Sequence, residues 1–280
     1  MRLRFRNEEK DCKPEPTSSE NPLYLKLCSF SADAGEKTND MFVLSRPKVE
    51  GDGEDAFLAV QTDEKVFLGV FDGCGGSGAK IYPVFDNHTG AWIASRAAAL
   101  AAHEWFTDNQ ENTSLEANIA RSLQTCRTQS ISGQTLLGSL SREFPTTVAA
   151  FIVEKGRDEA EFYWCGDSRC YTLDSRGLHQ ITMDDSSVHD AMQNLREDAP
   201  MTNVASASRP FQLHHTRISI REPSLIFAAT DGCFGYLSSP MAFEKMLMET
   251  MRCARSMRHW EQLLDKKLKH ISGEIGRAHV

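Results

Sequence analysis

Two apolar runs that each end in an Asp-Gly pair constrain the fold of this chain more than any other feature. Residues 68–71 lead into Asp72-Gly73, and glycine takes four of the six positions after Asp72. Residues 225–230 lead into Asp231-Gly232 in the same way. Short apolar runs are typical of buried strands, and a glycine-rich turn lets the backbone approach a charged ligand. A single Asp-Gly pair is an ordinary turn, but two such strand ends together predict a site for a metal or a phosphate.

An acidic stretch before the first of these strands strengthens this prediction. Glu54-Asp55 open an apolar strand, a polar turn follows at residues 61–65, and residues 66–71 return, which is typical of a β-hairpin. In an antiparallel pair, the start of one strand lies beside the end of the next. We therefore expect Glu54 and Asp55 to lie next to Asp72. Carboxylates forced together need a cation or raised pKa values.

The order of the remaining elements predicts an α+β fold. Two helices follow the hairpin, and then come an antiparallel meander, a long polar connection, a second hairpin and two more helices. The predicted ranges are, in that order, residues 89–106, 113–128, 146–182, 187–212, 213–230, 241–253 and 256–269. A Thr113-x-x-Glu116 capping box is expected to open the second helix. Hairpin-linked strands alternating with runs of helices indicate sheets covered by helices, and not a doubly wound parallel sheet.

Composition limits the classes of function that the chain can have. It has 280 residues, a net charge of -8 and eight scattered cysteines without a C-x-x-C pair. The negative charge argues against nucleic acid as a partner, and no apolar run approaches the roughly 20 residues of a membrane helix. The cysteine pattern favours a reduced, cytoplasmic setting without a zinc site. We expect a disordered lead-in at residues 1–22, followed by one domain at residues 23–274 that acts as a monomer.

Taken together, the motifs resemble those of the metal-dependent serine/threonine protein phosphatases of the 2C type. They occur in the order of that family over roughly residues 48–237. The matching pieces are Glu54-Asp55, Phe71-Asp72-Gly73-x-Gly75-Gly76, Thr146-Thr147, Gly166-Asp167-Ser168-Arg169, Ile181-Thr182-x-Asp184 and Ala229-Thr230-Asp231-Gly232. The resemblance, to a bacterial-like member, implies a four-layer α-β-β-α sandwich of two mainly antiparallel sheets, with its site at one end of the sheets.

The resemblance also implies a cofactor, a substrate and a set of site residues. Two Mg²⁺ or Mn²⁺ ions are expected, with a third ion bound more weakly. The reaction is expected to be attack of a metal-bound hydroxide on the phosphorus of phosphoserine or phosphothreonine in a phosphoprotein. The implied site residues are Asp72 as bridging ligand, Asp231 and Asp55 as further ligands, Gly73 through its carbonyl, Glu54 through bound water, Asp167 for the third ion, and Lys48 or Arg46 for the phosphate.

Two positions depart from the pattern of that family and leave alternatives open. Cys74 stands where many members carry a histidine that is thought to act as general acid, and Gly235 stands where an aspartate is common. His88 and His189 are candidate acids by residue type alone. A pseudophosphatase that binds or regulates, and a hydrolase of small phosphoesters, are the alternatives to a protein phosphatase.

The C-terminal residues carry a separate expectation. Ile271-Ser272-Gly273-Glu274 stands where the family places a Gly-Asp-Asp or Asp-Asn motif that supplies another metal ligand. Residues 275–280 read like a translated sequencing adapter, so we expect this tail to be non-native. The expected consequence is a domain truncated after Glu274 and an incomplete second metal site. The polar connection at residues 187–212 is expected to form a mobile flap that determines substrate specificity.

Overall fold

Two antiparallel β-sheets lie face to face at the centre of the molecule. The computed structural model describes residues 23, 27, 41–45, 53–108, 113–130, 143–186, 201–220 and 224–278, with side chains up to residue 271. Lys48, Arg46, His189, the lead-in at 1–22 and the side chain of Glu274 lie outside the described residues.

Between residues 53 and 220 the described strands are β1 (Ala56–Gln61), β2 (Lys65–Phe71), β3 (Ile81–Tyr82), β4 (His88–Thr89), β5 (Val148–Glu154), β6 (Glu159–Cys165), β7 (Arg169–Asp174), β8 (Gly177–Gln180) and β9 (His214–Ser219). Strand β10 (Leu225–Ala229) follows.

The first sheet has the strand order β1-β2-β5-β6-β9, and each neighbouring pair is antiparallel. The β1–β2 hairpin pairs Ala56 with Phe71, so the residue before β1 lies beside the residue after β2. This register confirms the predicted neighbourhood of Asp55 and Asp72. The short strands β3 and β4 pair separately from both large sheets.

The second sheet has the order β10-β7-β8. The prediction of one continuous meander over residues 146–182 is wrong, because β6 belongs to the first sheet and β7 to the second. The chain crosses between the sheets at Gly166, whose φ of 92° lies in the left-handed region. A Cβ at this position would lie 2.7 Å from Cγ2 of Thr147. Glycine therefore permits a crossing turn where strand pattern alone suggests a hairpin.

Helices cover the outer face of each sheet. The described helices are α1 (Gly75–Gly78), α2 (Gly90–Asp108), α3 (Leu115–Ser130), α4 (Asp231–Phe234), α5 (Pro240–Cys253) and α6 (Met257–Ala278), with a 3₁₀ turn at Pro83–Phe85. The alanine-rich α2 packs closely on β1 and β2, and α3 packs on α2. Ser239 caps the N-terminus of α5, because its Oγ accepts a hydrogen bond from the N–H of Ala242. None of the described helices is both long and apolar enough to cross a membrane.

Three apolar clusters define the layers. The cluster between α2 and the first sheet includes Leu58, Phe67 and Ile93. The cluster between the sheets includes Phe151, Phe162 and Cys170. The cluster between the second sheet and the pair α5 and α6 includes Tyr171, Phe243 and Trp260. This arrangement confirms the predicted α-β-β-α sandwich.

Candidate metal centre

Four aspartates lie at one end of the two stacked sheets. Asp55 immediately precedes β1, Asp72 immediately follows β2, Asp167 lies in the β6–β7 crossing, and Asp231 is the first residue of α4 after β10. The hydroxyl of Thr230 donates a hydrogen bond of 3.1 Å to Oδ2 of Asp55, which joins the two sheets at this end. Asp55 and Asp231 are exposed, while Asp72 and Asp167 are half-buried beside them. The cluster is therefore open to solvent and to a ligand.

The carboxyl group of Asp72 lies in a strongly acidic environment. Burial raises its pKa well above the ordinary value, and the negative charges of Asp55 and Asp231 raise it further. A side-chain hydrogen bond joins Asp72 to Asp55, whose own pKa is raised mainly by desolvation. Burial, followed by the charge of Asp231, raises the pKa of Asp167 to about 6. Without a cation, this arrangement raises the affinity of Asp55, Asp72 and Asp167 for protons.

Two threonines fix the backbone of Asp72. The carbonyl oxygen of Asp72 accepts hydrogen bonds from the N–H of Thr147 at 2.8 Å and from the hydroxyl of Thr146 at 2.9 Å. The N–H of Asp72 in turn donates to Oγ1 of Thr147 at 3.1 Å. Oγ1 of Thr147 also lies 2.7 Å from Oγ of Ser168, in the crossing turn that carries Asp167. The β-branched shape of Thr146 and Thr147 predicts only a strand role, yet their hydroxyls position the aspartate.

The crossing turn is held by a second set of polar contacts. Arg169 donates to both carboxylate oxygens of Asp184, at 2.8 Å from Nε and 2.6 Å from an Nη. Its guanidinium also lies 4.2 Å from the ring centroid of Phe234 in α4. The N–H of Gly166 donates to Oδ2 of Asp185 at 3.0 Å. These contacts fix the turn on both sides of Asp167.

Glu54 and Gly73 lie where the aspartate cluster meets α2. Oε1 of Glu54 accepts a 2.6 Å hydrogen bond from the hydroxyl of Thr89. This hydrogen bond holds Glu54 beside β4, just before α2, whereas Asp55 is hydrogen-bonded to Asp72. A Cβ at Gly73 would lie 2.5 Å from the carbonyl oxygen of Ala91 and 2.7 Å from that of Glu54. Only glycine therefore fits between the strand end and α2.

Arg96 is a charged residue of this site that motif reasoning misses. It is 7% exposed within the alanine-rich α2. Its guanidinium donates to the carbonyl of Gly53 at 3.0 Å and lies 3.9 Å from the ring of Trp92. Its charge helps to lower the pKa of Asp55 against the effect of desolvation. The signal in the sequence is an arginine on the buried, alanine-rich face of a helix, since buried arginines are rare unless paired.

The second half of the predicted flap forms part of the wall of the site. Residues 187–200 lie outside the described residues. Val204 and Ala205 are buried, and the carbonyl of Ala205 accepts a hydrogen bond from the N–H of Thr146. The prediction of a mobile flap over the whole of residues 187–212 is therefore wrong for the segment at Ala205, which supports Thr146 from behind.

The residues of the cluster fit a hard divalent cation in charge and in donor chemistry. Carboxylate oxygens are the ligands that Mg²⁺ and Mn²⁺ prefer, and the crowded aspartates need positive charge. Within the described part of the chain, no group of three or more His, Cys, Asp or Glu side chains is already arranged to hold a metal ion. A bound ion would thus take few ligands from the protein and would keep several water ligands, as Mg²⁺ commonly does.

Comparison with solved structures supports the same architecture. The serine/threonine phosphatase Stp1 from Staphylococcus aureus superposes with a TM-score of 0.61 at 16% identity, over 81% of this chain and 87% of that chain. The catalytic domain of the phosphatase PstP in complex with two manganese ions gives a TM-score of 0.55 at 18% identity, over 82% and 90%. The S. agalactiae serine/threonine phosphatase superposes with a TM-score of 0.55 at 16% identity, over 81% of this chain and 90% of that chain. At these identities the likeness concerns the fold.

The sequence itself gives the family. A search of curated proteins finds no significant match. The family model described as protein phosphatase 2C matches residues 49–271, a range that includes both Asp-Gly strand ends and the crossing turn. This match covers well over half of the chain. The chain therefore belongs to the protein phosphatase 2C family.

Proposed function

We propose that this protein hydrolyses phosphoserine and phosphothreonine in a protein substrate, with Mg²⁺ or Mn²⁺ as cofactor. The observation that carries the proposal is the hydrogen-bonded pair Asp72 and Asp55, with Asp231 and Asp167 close enough to raise the pKa of Asp72. A family of protein phosphatases supplies the reaction class. The manganese complex of PstP, whose fold is similar, supports the choice of metal.

Asp72, Asp231 and Asp55 are the residues proposed to hold the ions, with the carbonyl of Gly73 as a further ligand and Asp167 for a third ion. When bound, a pair of such ions supplies positive charge to the phosphoryl oxygens and lowers the pKa of water to make the nucleophile. Glu54, held by Thr89, is proposed to act through bound water. Lys48 remains the proposed phosphate-binding residue on sequence grounds alone.

The residues of the chain contribute position and charge balance. The backbone of Asp72 is fixed by Thr146 and Thr147, so its carboxylate is presented in one orientation without further ordering. Arg96 offsets part of the negative charge beside Asp55. The thiol of Cys74 lies 4.0 Å from the carbonyl oxygen of Asp72. Because a thiol is a poor replacement for a histidine acid, protonation of the leaving serine or threonine oxygen is expected to come from water.

The test is Mn²⁺-dependent release of phosphate from a phosphothreonine peptide. We expect turnover in the presence of Mn²⁺, none after chelation, and a loss of at least about 100-fold in Asp72→Asn. Asp63→Asn is the matched control, because Asp63 is an exposed aspartate in the β1–β2 turn, and it should retain full activity. Equal activity of Asp72→Asn and the wild-type protein would overturn the proposed site.

A pseudophosphatase is the second candidate, and two observations favour it. The described residues hold no ready arrangement of three metal-ligating side chains, and Cys74 replaces the expected histidine. Calorimetry with a phosphopeptide, together with the phosphate-release assay, separates the two functions: a pseudophosphatase binds the phosphopeptide without turnover, whether or not it binds Mn²⁺. Comparison of the phosphopeptide with p-nitrophenyl phosphate tests the third candidate, a hydrolase of small phosphoesters, which should prefer the small ester.

A further inference from the structure

An apolar cavity of about 180 Å³ lies along the edge of β10, between the two sheets and the helices α5 and α6. The segment at residues 41–44 forms one of its walls, and it is not sealed from solvent. Apolar cavities of about this size in protein cores accept molecules such as benzene. The cavity is separate from the aspartate cluster and has no part in the proposed hydrolysis.

The described lining offers few partners to a charged ligand or to ordered water. The described residues around the cavity carry no charged side chain. The indole N–H of Trp260 is directed away, because it donates to Oγ1 of Thr250 at 2.9 Å. A cavity whose described lining is mostly apolar gains little from water and favours an uncharged apolar guest.

The walls of the cavity continue directly into the aspartate cluster. Phe57 in β1 lines the cavity two residues after Asp55, and Val70 in β2 lines it two residues before Asp72. Cys233 lines it two residues after Asp231. Strands from both sheets thus contribute a residue to the cavity lining and, two residues away, an aspartate to the cluster. Asp55 and Asp72 belong to the first sheet and Asp231 to the second, so the separation of the sheets bears on the distance from Asp231 to the other two.

We propose that this cavity binds a small, uncharged, apolar molecule of one ring, and that its occupancy strengthens metal binding at the aspartate cluster. A guest holds the two sheets at a fixed separation, so the aspartates lose less freedom when a cation binds. Binding of the guest stands independently of the proposed function, whereas its effect on metal affinity rests on that function.

Fluorobenzene, followed by ¹⁹F NMR with the full chain and without metal, tests the binding step. We expect saturable binding at one site. Ala228→Leu fills the cavity from the inner face of β10, so it should abolish binding without lowering the melting temperature. Ala160→Leu is the matched control, since Ala160 belongs to the same apolar cluster between the sheets but lies outside the lining. It should lower the melting temperature through overpacking and retain fluorobenzene binding.

A second variant and a second measurement keep the outcomes distinct. Leu264→Ala widens the cavity and should allow binding of 1-fluoronaphthalene. Saturating fluorobenzene should raise the affinity for Mn²⁺, measured by calorimetry, by about fivefold or more. Absence of saturable binding, or equal binding in the wild-type protein and Ala228→Leu, would overturn the site. Binding without any change in Mn²⁺ affinity would overturn the coupling, whether or not the protein hydrolyses phosphopeptides.

Discussion

At the residue scale, the hydroxyl of Thr147 connects two of the four aspartates. It accepts from the N–H of Asp72 and lies 2.7 Å from the hydroxyl of Ser168, next to Asp167. Both Thr147 and Ser168 are about 1% exposed. Removal of this oxygen would leave a buried N–H and a buried hydroxyl with one partner fewer, which is costly in the protein interior.

Thr147→Val should therefore lower the free energy of unfolding by about 1–3 kcal/mol and lower kcat more than KM. Thr147→Ser keeps the oxygen and should restore most of kcat, although it loses a methyl group. Denaturant unfolding and phosphopeptide kinetics measure the two effects. A wild-type kcat in Thr147→Val would show that the threonine acts only in the packing of the sheets.

The pKa of Asp167 predicts a pH-dependent stability in the metal-free protein. Burial, followed by the charge of Asp231, raises this pKa from 3.8 to about 6. Between these two values the folded state keeps a proton that the unfolded state has lost, so stability falls as pH rises through the window. With chelator present, Asp167→Asn should raise the melting temperature at pH 7.5 and change it little at pH 4. Asp63→Asn should have no effect at either pH, and a lower melting temperature of Asp167→Asn at pH 7.5 would contradict the prediction.

At the element scale, the turn after β2 owes its form to glycines of two kinds. Gly73 has carbonyl oxygens of Ala91 and Glu54 within 2.7 Å of a would-be Cβ, whereas Gly76 has nothing within 4 Å. Backbone oxygens in a helix and a strand end cannot move aside as a flexible side chain can. The two glycines therefore differ in their tolerance to the same substitution.

Gly73→Ala should destabilise the fold by about 3 kcal/mol or more, because it separates β2 from α2. Gly76→Ala, the matched control, should change stability by less than about 0.5 kcal/mol. Thermal unfolding of the two variants measures this difference in stability. Equal stability of both variants would mean that the chain relaxes at Gly73 more freely than its contacts indicate.

Sequence reasoning worked best where a local pattern determines a contact. The hairpin register and the two Asp-Gly strand ends predict the cluster of Asp55, Asp72 and Asp231. It failed where a distant residue decides. Thr113-x-x-Glu116 was expected to cap α3, but Ser114 caps it by accepting from Ala117, while Glu116 accepts from the N–H of Leu213 near β9. A partner far away along the chain leaves no local signal.

At the scale of the whole molecule, the aspartate cluster ties the two sheets together. Asp55 and Asp72 come from the first sheet, and Asp231 comes from the end of the second. A ligand that binds the folded cluster, and not the separated strands, must stabilise the whole fold by mass action. Local loosening of the site would not produce such an effect.

Mn²⁺ at 100 times its dissociation constant should stabilise the protein by about 2.7 kcal/mol. Differential scanning calorimetry with and without Mn²⁺ measures this gain as a rise in melting temperature. The rise should be largely lost in Asp231→Asn and retained in Asp63→Asn. An unchanged rise in Asp231→Asn would place the stabilising ion elsewhere.

The strand order has a consequence for the order of assembly during synthesis. Strands β1, β2, β5 and β6 are neighbours in the first sheet and leave the ribosome before β10 does. A domain generally folds as a unit, so the cluster can form only after β10, which leads to Asp231, has been made. A nascent chain that ends before β10 carries Asp55 and Asp72 without their third partner. Under the proposed function such a chain lacks part of its ligand set, which makes metal binding a late marker of a finished chain.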